Sequence, residues 1–305
     1  MKKILFLLAL CTVFASCKTY HMQESQVFIP GKYIAKDTLQ MKPVPEWKQT
    51  PKEVYLSIIK KAEGTVYQDK KLCVTRKYFT NKAGKKLELL YFTPTKYKKK
   101  GIFFPGNGTK VYDYYVALKN LAIQAESQVI YVNYEGYGHS DGTPSFQATF
   151  ADNNELIAYL RENDNAPTFV CGYSIGTIFA TYAAADMQVP NLFLVSPLSS
   201  SLDYATFLKK SYTRGLKVIF RPFLRLKGTQ NLMEISPKSK ISHYTGTLHI
   251  YHSKKDQTVP YSMGVTMYKT ALTRQKTLHT QNTGNHASYF DKENWEKVIL
   301  KIKDL

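Results

Sequence analysis

Apolar and polar residues are arranged in blocks along the chain, and these blocks predict strands and helices in turn. Short continuous apolar runs between turn residues predict strands, while apolar residues three or four positions apart predict helices. The predicted strands are Leu72 to Phe79, Lys86 to Thr93, 101–104, 128–133, 168–172, 191–196, 247–252 and 276–281. Helical patterns begin at Pro51, cover Val111 to Ala125, end near Arg161, follow Ser174 directly and surround Trp295. This alternation predicts an α/β fold, with a mostly parallel central sheet and helices on both faces.

One connection between predicted strands is too long for a plain helical crossover. It covers about residues 198–240, and we interpret it as a small inserted cap. Within it, residues 205–227 carry seven cations interleaved with apolar side chains, and no acidic residue occurs between Tyr204 and Met233. Such a stretch can grip acyl chains or lie on anionic lipid, or it can pack on the core with its cations solvated. The sequence leaves these alternatives open.

The N-terminus has the pattern of a targeting segment. Two lysines precede an apolar run, residues 4–14, which is too short to span a bilayer. The run ends in FASC (14–17), which resembles a bacterial lipoprotein cleavage box. This resemblance implies a signal peptide of residues 1–17 and a lipid anchor, such as palmitate, on Cys17. Simple secretion with cleavage nearby is the alternative.

An anchor at Cys17 would hold the protein at a membrane of the bacterial cell envelope, on the periplasmic or outer-membrane side. Residues 18–50 contain several prolines and are predicted to be an irregular tether, which leaves 51–305 as the folded domain. The formal net charge of +19 favours anionic partners such as membrane head groups or acidic substrates. Signatures of zinc fingers, RNA-recognition domains and helix-turn-helix motifs are absent from the sequence, so no nucleic-acid partner is expected.

The cysteines add little chemistry. Cys73 and Cys171 are the ones outside the targeting segment, and both lie in apolar runs predicted as strands. A free cysteine in such a position behaves as a small buried hydrophobic residue. We therefore expect neither a disulfide framework nor a metal site, and no cofactor. The oligomeric state is not predicted.

The stretch GYSIG (172–176) raises the question of whether Ser174 is a nucleophile. The G-x-S-x-G pattern is weakly specific alone, but here it joins a predicted strand directly to a predicted helix. Ligands of doubly wound sheets bind beyond the carboxyl ends of the strands. A serine on so sharp a turn needs glycine on both sides, because a side chain at position 172 or 176 would collide with neighbouring backbone. This context predicts that Ser174 is the catalytic nucleophile.

A serine hydroxyl needs a base to accept its proton, and a histidine base needs a carboxylate to orient it. Asp256 and His286 both follow predicted strands closely, so both are expected at the edge of the sheet where Ser174 lies. We predict that His286 is the base and that Asp256 orients it. The alternatives are an ordinary loop histidine and a turn aspartate.

The tetrahedral intermediate of acyl transfer also needs backbone N–H donors for its oxyanion. The loop FFPGNGT (103–109) follows a predicted strand and precedes a predicted helix, so its amides are expected to point towards the site. We assign the N–H of Asn107 as one donor. The N–H of Ile175 is the other, because Ile175 directly follows the nucleophile.

Five stretches together carry a resemblance to a known family. They are PGNG (105–108), NYEGYGHSDGTPS (133–145), GYSIG (172–176), KKDQTVP (254–260) and GNH (284–286). They resemble the α/β-hydrolase-fold serine hydrolases, in the branch with a small cap and an oxyanion loop of the His-Gly-Asn-Gly type. The order serine, acid, histidine along the chain is also that of the family. Pro105 replaces the usual histidine and Glu135 a common arginine, and we expect the loop around Glu135 to be structural.

The resemblance implies a serine hydrolase that cleaves an acyl ester or thioester through an acyl-enzyme intermediate. Its partners would be a small-molecule or lipid ester substrate and a membrane, reached through the lipid anchor and the basic cap. A serine peptidase of the same fold would use the same three residues. A non-catalytic, membrane-anchored binding protein on a hydrolase scaffold is the alternative from a different class.

Overall fold

The computed structural model describes residues 18–33, 50–213, 218 and 224–305. The predicted signal peptide with its Cys17 lies outside the described residues, as do much of the predicted tether and part of the predicted cap. None of the helices in the described ranges has the length and hydropathy of a membrane span.

The described chain alternates between strands and helices. The strands are β1 Lys18–Met22, β2 Gly64–Gln68, β3 Leu72–Thr80, β4 Lys86–Pro94, β5 Lys99–Phe104, β6 Ser127–Val132, β7 Phe169–Tyr173, β8 Asn191–Val195, β9 Leu224–Gly228, β10 Thr247–Ser253 and β11 Lys276–Gln281. The helices are α1 Glu24–Val27, α2 Lys52–Ile59, α3 Val111–Gln124, α4 Phe146–Glu162, α5 Gly176–Met187, α6 Ser201–Tyr212, α7 Gln230–Met233, α8 Pro237–Ile241, α9 Tyr261–Thr270 and α10 Lys292–Lys303.

These elements fall into two compact units. The larger unit comprises Phe28–Ser199 and Pro237–Leu305. The smaller unit comprises the described residues up to Val27 together with Ser200–Ser236. The second segment of the smaller unit lies within the range that the sequence predicts as an inserted cap.

A nine-stranded sheet forms the centre of the larger unit. Its strand order is β11-β10-β8-β7-β5-β6-β4-β3-β2. The strands from β6 to β11 in this order pair in parallel, and β4, β3 and β2 continue the sheet in antiparallel pairs. The predicted mostly parallel sheet is confirmed. Because β7, β8, β10 and β11 are parallel neighbours, the residues that follow them lie at one edge of the sheet.

Helices cover both faces of this sheet, as predicted. On one face, α2, α3 and α10 share a core cluster with Phe169, Cys171 and Tyr173 of β7. The residue between the last two, Gly172, points to the other face. A Cβ atom at Gly172 would come within 2.8 Å of the Ala180 Cβ atom of α5. The absence of a side chain therefore lets α5 approach β7 closely.

The strands predicted from the sequence are all present, but some details differ. The edge strand β2 and the helix α9 were not predicted. Helix α2 has no side-chain cap at its start, although Thr50 directly precedes the proline at which the helical pattern begins. The Thr50 hydroxyl instead donates to the Tyr112 carbonyl oxygen at 2.7 Å, a contact 62 positions away that a local pattern does not reveal.

The smaller unit contains a two-stranded parallel sheet. In it β1 pairs with β9, with Lys18 opposite Leu224 and Met22 opposite Gly228. Ser200 caps the start of helix α6, because its hydroxyl accepts a hydrogen bond from the Asp203 N–H at 3.0 Å. The sequence predicts an irregular tether from residue 18, and β1 departs from that expectation. Its partner lies about two hundred positions away, so short-range periodicity does not detect the pairing.

Candidate active site

Ser174 lies on a sharp turn between β7 and α5. Its backbone φ of 54° is in the left-handed region, which is costly for a residue with a side chain. The Ser174 N–H donates to the Val195 carbonyl oxygen at 3.0 Å, which fixes the turn against β8. A Cβ atom at Gly176 would lie 2.1 Å from the Phe104 carbonyl oxygen, and one at Gly172 would lie 2.5 Å from the Gly176 carbonyl oxygen. The predicted need for glycine at both positions is confirmed.

The structure brings the three side chains predicted from the sequence into one hydrogen-bonded series. His286 Nε2 lies 2.9 Å from Ser174 Oγ, and His286 Nδ1 lies 2.7 Å from Asp256 Oδ2. Asp256 follows β10 and His286 follows β11, so adjacent parallel strands deliver both to the edge where β7 ends. An ionised carboxylate can only accept, so Nδ1 carries the proton and Nε2 is free to accept from the serine hydroxyl. This is the geometry that a serine nucleophile and its general base require.

Asp256 is held as a carboxylate by several donors. Its Oδ1 atom accepts the N–H groups of Thr258 and Val259, each at 2.9 Å. Burial raises the pKa of Asp256, but hydrogen bonds from His252, His286 and the Val259 N–H outweigh it and hold that pKa well below its usual range. The group therefore remains charged and able to orient His286.

A second histidine, His252, also lies against Asp256. Its side chain is fully buried, and its Nε2 atom lies 3.0 Å from the Val259 carbonyl oxygen and 3.4 Å from Asp256 Oδ2. A carbonyl oxygen only accepts, so His252 Nε2 carries a proton that is directed at both oxygens. Sequence reasoning assigned no role to His252. His252 lies at the end of β10, four residues before Asp256. This spacing is the signal in the sequence that could have identified His252 as a neighbour of Asp256.

The loop of the predicted oxyanion donor packs against the turn at Ser174. The Asn107 side-chain oxygen accepts the Ile29 N–H at 2.8 Å and the Tyr137 hydroxyl at 2.7 Å, which fixes this residue in the loop. The turn at Ser174 lies against the start of this loop, since a Cβ atom at Gly176 would come within 2.1 Å of the Phe104 carbonyl oxygen. The backbone N–H groups of Asn107 and Ile175 both belong to this junction, and their role as oxyanion donors stays a prediction.

Comparison with known proteins identifies the family. The family model described as alpha/beta hydrolase fold matches residues 102–295, nearly two thirds of the chain. The chain belongs to the α/β-hydrolase family. Its match to the lysophosphatidylserine lipase ABHD12 of Bos taurus is 27% identical over 184 residues, which is 56% of this chain and 44% of the bovine protein. The alpha/beta hydrolase domain-containing protein 17B of Xenopus laevis is 25% identical over 175 residues, 56% of this chain and 53% of that protein.

Solved structures of esterases have the same fold. Acetyl xylan esterase 1 from Thermoanaerobacterium superposes with a TM-score of 0.61 at 16% identity, covering 86% of this chain and 98% of the esterase. The esterase Pf2001 of Pyrococcus furiosus superposes with a TM-score of 0.60 at 12% identity, covering 76% of this chain and 89% of the esterase. The chain spans less than half the length of the bovine relative. Together these similarities support a hydrolase with the α/β-hydrolase fold.

The two departures from the family pattern have structural explanations. The Pro105 carbonyl oxygen accepts the Tyr134 hydroxyl at 2.8 Å, which supports the loop where the α/β-hydrolases usually have histidine. Glu135 is buried, and its Oε2 atom accepts the Thr143 N–H at 3.2 Å. A Cβ atom at Gly142 would lie 2.1 Å from that same oxygen, so the glycine makes room for the carboxylate. The Glu135 side chain thus joins the two ends of the loop between residues 135 and 143 by a hydrogen bond.

The chemistry of the site rests on protein side chains. Among the residues that the structure describes, no group of three or more histidine, cysteine, aspartate and glutamate side chains is arranged to hold a metal ion. The two described cysteines are free thiols, and burial raises the pKa of the Cys171 thiol far above its usual range. The arrangement around Ser174 can activate a hydroxyl, accept its proton and return that proton to a leaving group.

Proposed function

We propose that the chain is a serine hydrolase that cleaves an acyl ester or thioester through an acyl-enzyme intermediate. Ser174 Oγ attacks the substrate carbonyl while His286 Nε2 accepts its proton. The N–H groups of Asn107 and Ile175 stabilise the oxyanion. His286 then protonates the departing alcohol or thiol, and a water molecule activated by the same histidine releases the acid. Asp256 holds the imidazole in the required tautomer throughout.

The observation that carries this proposal is the series of hydrogen bonds from Ser174 through His286 to Asp256, at 2.9 and 2.7 Å. An ester is favoured over a peptide as substrate because the similar sequences include a protein named as a lysophospholipid lipase and the similar structures include esterases. The name of the bovine relative also favours a lipid ester.

The proposal extends to where the protein acts. A lipid anchor on Cys17 and a location in the bacterial cell envelope are supported by the sequence pattern of residues 1–17, since that pattern resembles a lipoprotein signal. One lipid chain binds a membrane reversibly, and a basic surface would add a second attraction to anionic lipid. Intact-mass measurement of the mature protein tests this. A diacylglycerol-sized addition at Cys17 supports the anchor, and an unmodified N-terminus contradicts it.

Hydrolysis of p-nitrophenyl esters and an acyl-coenzyme A thioester tests the activity. We expect Ser174→Ala to lower kcat by about 10⁴-fold or more, because residues that act as a unit in such sites lose nearly all catalysis together. Ser262→Ala, at an exposed serine in α9, is the matched control and should leave kcat unchanged. Equal turnover by wild type and Ser174→Ala would contradict the proposal. No turnover by folded wild type would favour a binding protein on a hydrolase scaffold.

A further inference from the structure

A groove of about 420 Å³ lies between α3 and α10 in the larger unit. Its near end is lined by Thr109, Tyr173 and Ala287, and its far end by Gln124 and Ile299. The side chains of the three proposed catalytic residues do not line it. Nothing in the proposed chemistry uses this space, which is within the usual size range of ligand pockets.

The near end of the groove adjoins the proposed catalytic residues. Tyr173 directly precedes Ser174, and Ala287 directly follows His286. The Tyr173 ring lies with its centroid 5.0 Å from that of the His286 ring, so one side of Tyr173 contacts the base while the side chain also borders the groove. Thr109 belongs to the same loop as Asn107. The near end of the groove is therefore lined by the residues next to Ser174 and His286 in the chain.

The groove is elongated along the two helices. Its lining runs from Asp113 to Gln124 on α3, and this stretch of helix rises roughly 16 Å. An extended chain advances about 3.3–3.6 Å for every three bonds along it. An extended acyl chain of roughly 13 or 14 bonds would therefore be as long as this stretch of α3. The shape thus matches one extended chain better than a compact head group.

The floor of the groove is largely apolar, although three of its aromatic residues, Tyr114, Tyr173 and Trp295, carry polar atoms. Trp295 is buried and donates its Nε1–H to the Ala117 carbonyl oxygen at 2.8 Å, so it presents only its ring. The Tyr114 hydroxyl accepts the Gly106 N–H at 3.4 Å. Of the polar residues that line the groove, Asp113, Gln124 and Lys292 are exposed, whereas Thr109, Asn120 and Glu296 are half-buried. The apolar floor formed by Trp295 and Ile299 favours an alkyl chain over a sugar or a peptide.

We propose that this groove binds the acyl chain of the substrate, and that the substrates are esters or thioesters of unbranched acids of about 10–14 carbons. This inference rests on the proposed function. The acyl chain is attached to the carbonyl carbon that Ser174 attacks, and its first carbons lie beside Tyr173. The following carbons lie over Trp295 and reach Ile299.

Blocking the groove at its middle tests the proposal. Ala117 is half-buried in the groove wall and lies one helical turn, about 6 Å, beyond Asp113. A butanoyl chain ends before this point, whereas a dodecanoyl chain passes it. We expect Ala117→Phe to leave kcat/KM for p-nitrophenyl butanoate within about twofold of wild type and to lower that for the dodecanoate by about tenfold or more. Ala151→Phe, at an exposed position of α4, is the matched control and should change neither value.

A second variant and a second substrate keep the test decisive. If Ala117→Phe does not fold, Asn120→Phe, on the same wall and further from Ser174, should impair dodecanoate in the same selective way. Dodecyl acetate, with its long chain on the alcohol, should be affected in neither variant. An unchanged chain-length profile, or selective loss with dodecyl acetate, would overturn the acyl-groove proposal while esterase activity upholds the proposed function. If wild type hydrolyses none of these esters, both proposals fall.

Discussion

Two buried carboxylates, Glu88 and Asp256, differ in where their hydrogen bonds lead. The Glu88 side chain is inaccessible and pairs with Arg76, whose side chain is only 1% exposed. The other Glu88 oxygen accepts the Asn133 amide at 2.7 Å and the His139 N–H at 2.9 Å. The remaining donors of the guanidinium bond to the carbonyl oxygens of Ile58, Lys60 and Ala62. The two charged side chains of this network are bonded to fixed groups, and the bonds that Glu88 accepts from Asn133 and His139 hold the loop after β6 in place.

The Asp256 network is equally buried at its inner end but open at its outer end. The Asp256 side chain is inaccessible, whereas the His286 side chain is 16% exposed and leads to a hydroxyl. Burial of a charged group therefore does not by itself mark a catalytic site. What distinguishes Asp256 is that its series of hydrogen bonds ends at an atom that can lose a proton to a partner.

The largest difference between the two networks should appear in activity. Asp256→Asn is expected to lower kcat by about 10⁴-fold, because an amide no longer holds His286 in the tautomer that accepts the serine proton. The fold should persist, since the network around Arg76 is untouched. Ester hydrolysis and thermal unfolding measure both effects. A loss of activity below about tenfold would show that Asp256 has no part in orienting the base.

The converse change should act on stability instead of catalysis. Arg76→Met leaves Glu88 buried without its ion partner and is expected to lower the free energy of unfolding by about 3–5 kcal/mol. The kcat of the folded fraction should stay close to that of wild type. Urea unfolding measures the first effect, with the exposed Arg274→Met as control. The double variant Arg76→Met/Glu88→Gln removes the unpaired charge but keeps an oxygen that can accept the Asn133 amide and the His139 N–H. It should recover part of the loss, and its failure to do so would contradict the explanation by an unpaired charge.

A smaller effect is expected at His252, the buried donor behind Asp256. His252→Phe removes one donor from the carboxylate, which then attracts the proton of His286 more strongly. We expect kcat/KM to fall by roughly three- to tenfold, the equivalent of a net hydrogen bond of about 1 kcal/mol. In His252→Phe, the acid side of the profile of kcat/KM against pH should also move to higher pH. His252→Gln keeps a donor, so its profile should move less. Identical pH profiles for the three proteins would limit His252 to packing.

The smallest effect concerns a third buried carboxylate, Asp152. It accepts one side-chain bond, from Asn81 at 2.6 Å, and burial together with nearby Glu135 and Glu155 raises the pKa of Asp152 to about 6 despite that bond. A pKa raised on folding means that the folded state binds more protons between about pH 4 and pH 6, so stability falls as the pH rises through this window. Asp152→Asn should remove this part of the pH dependence. Parallel stability curves for wild type and variant across the window would contradict it.

The sequence predicts the parts of the fold in which local pattern and tertiary environment agree. The last four residues of β5, 101–104, are apolar and buried, so this part of the strand is visible without the structure. The turn at Ser174 is visible because only glycine fits beside it. The pairing of Arg76 with Glu88 is not visible, because nothing local shows which of many charged residues becomes buried. The same holds for His252, whose role depends on where β10 places Asp256.

Labelling with a fluorophosphonate probe, followed by mass mapping of the modified peptide, tests whether Ser174 is the nucleophile. Such a probe reacts with serines that a neighbouring base activates. We expect a single adduct on Ser174, no adduct in Ser174→Ala and strongly reduced labelling in His286→Ala. A folded wild-type protein that carries no adduct, or one that carries it on another serine, would contradict the assignment of Ser174 as the nucleophile.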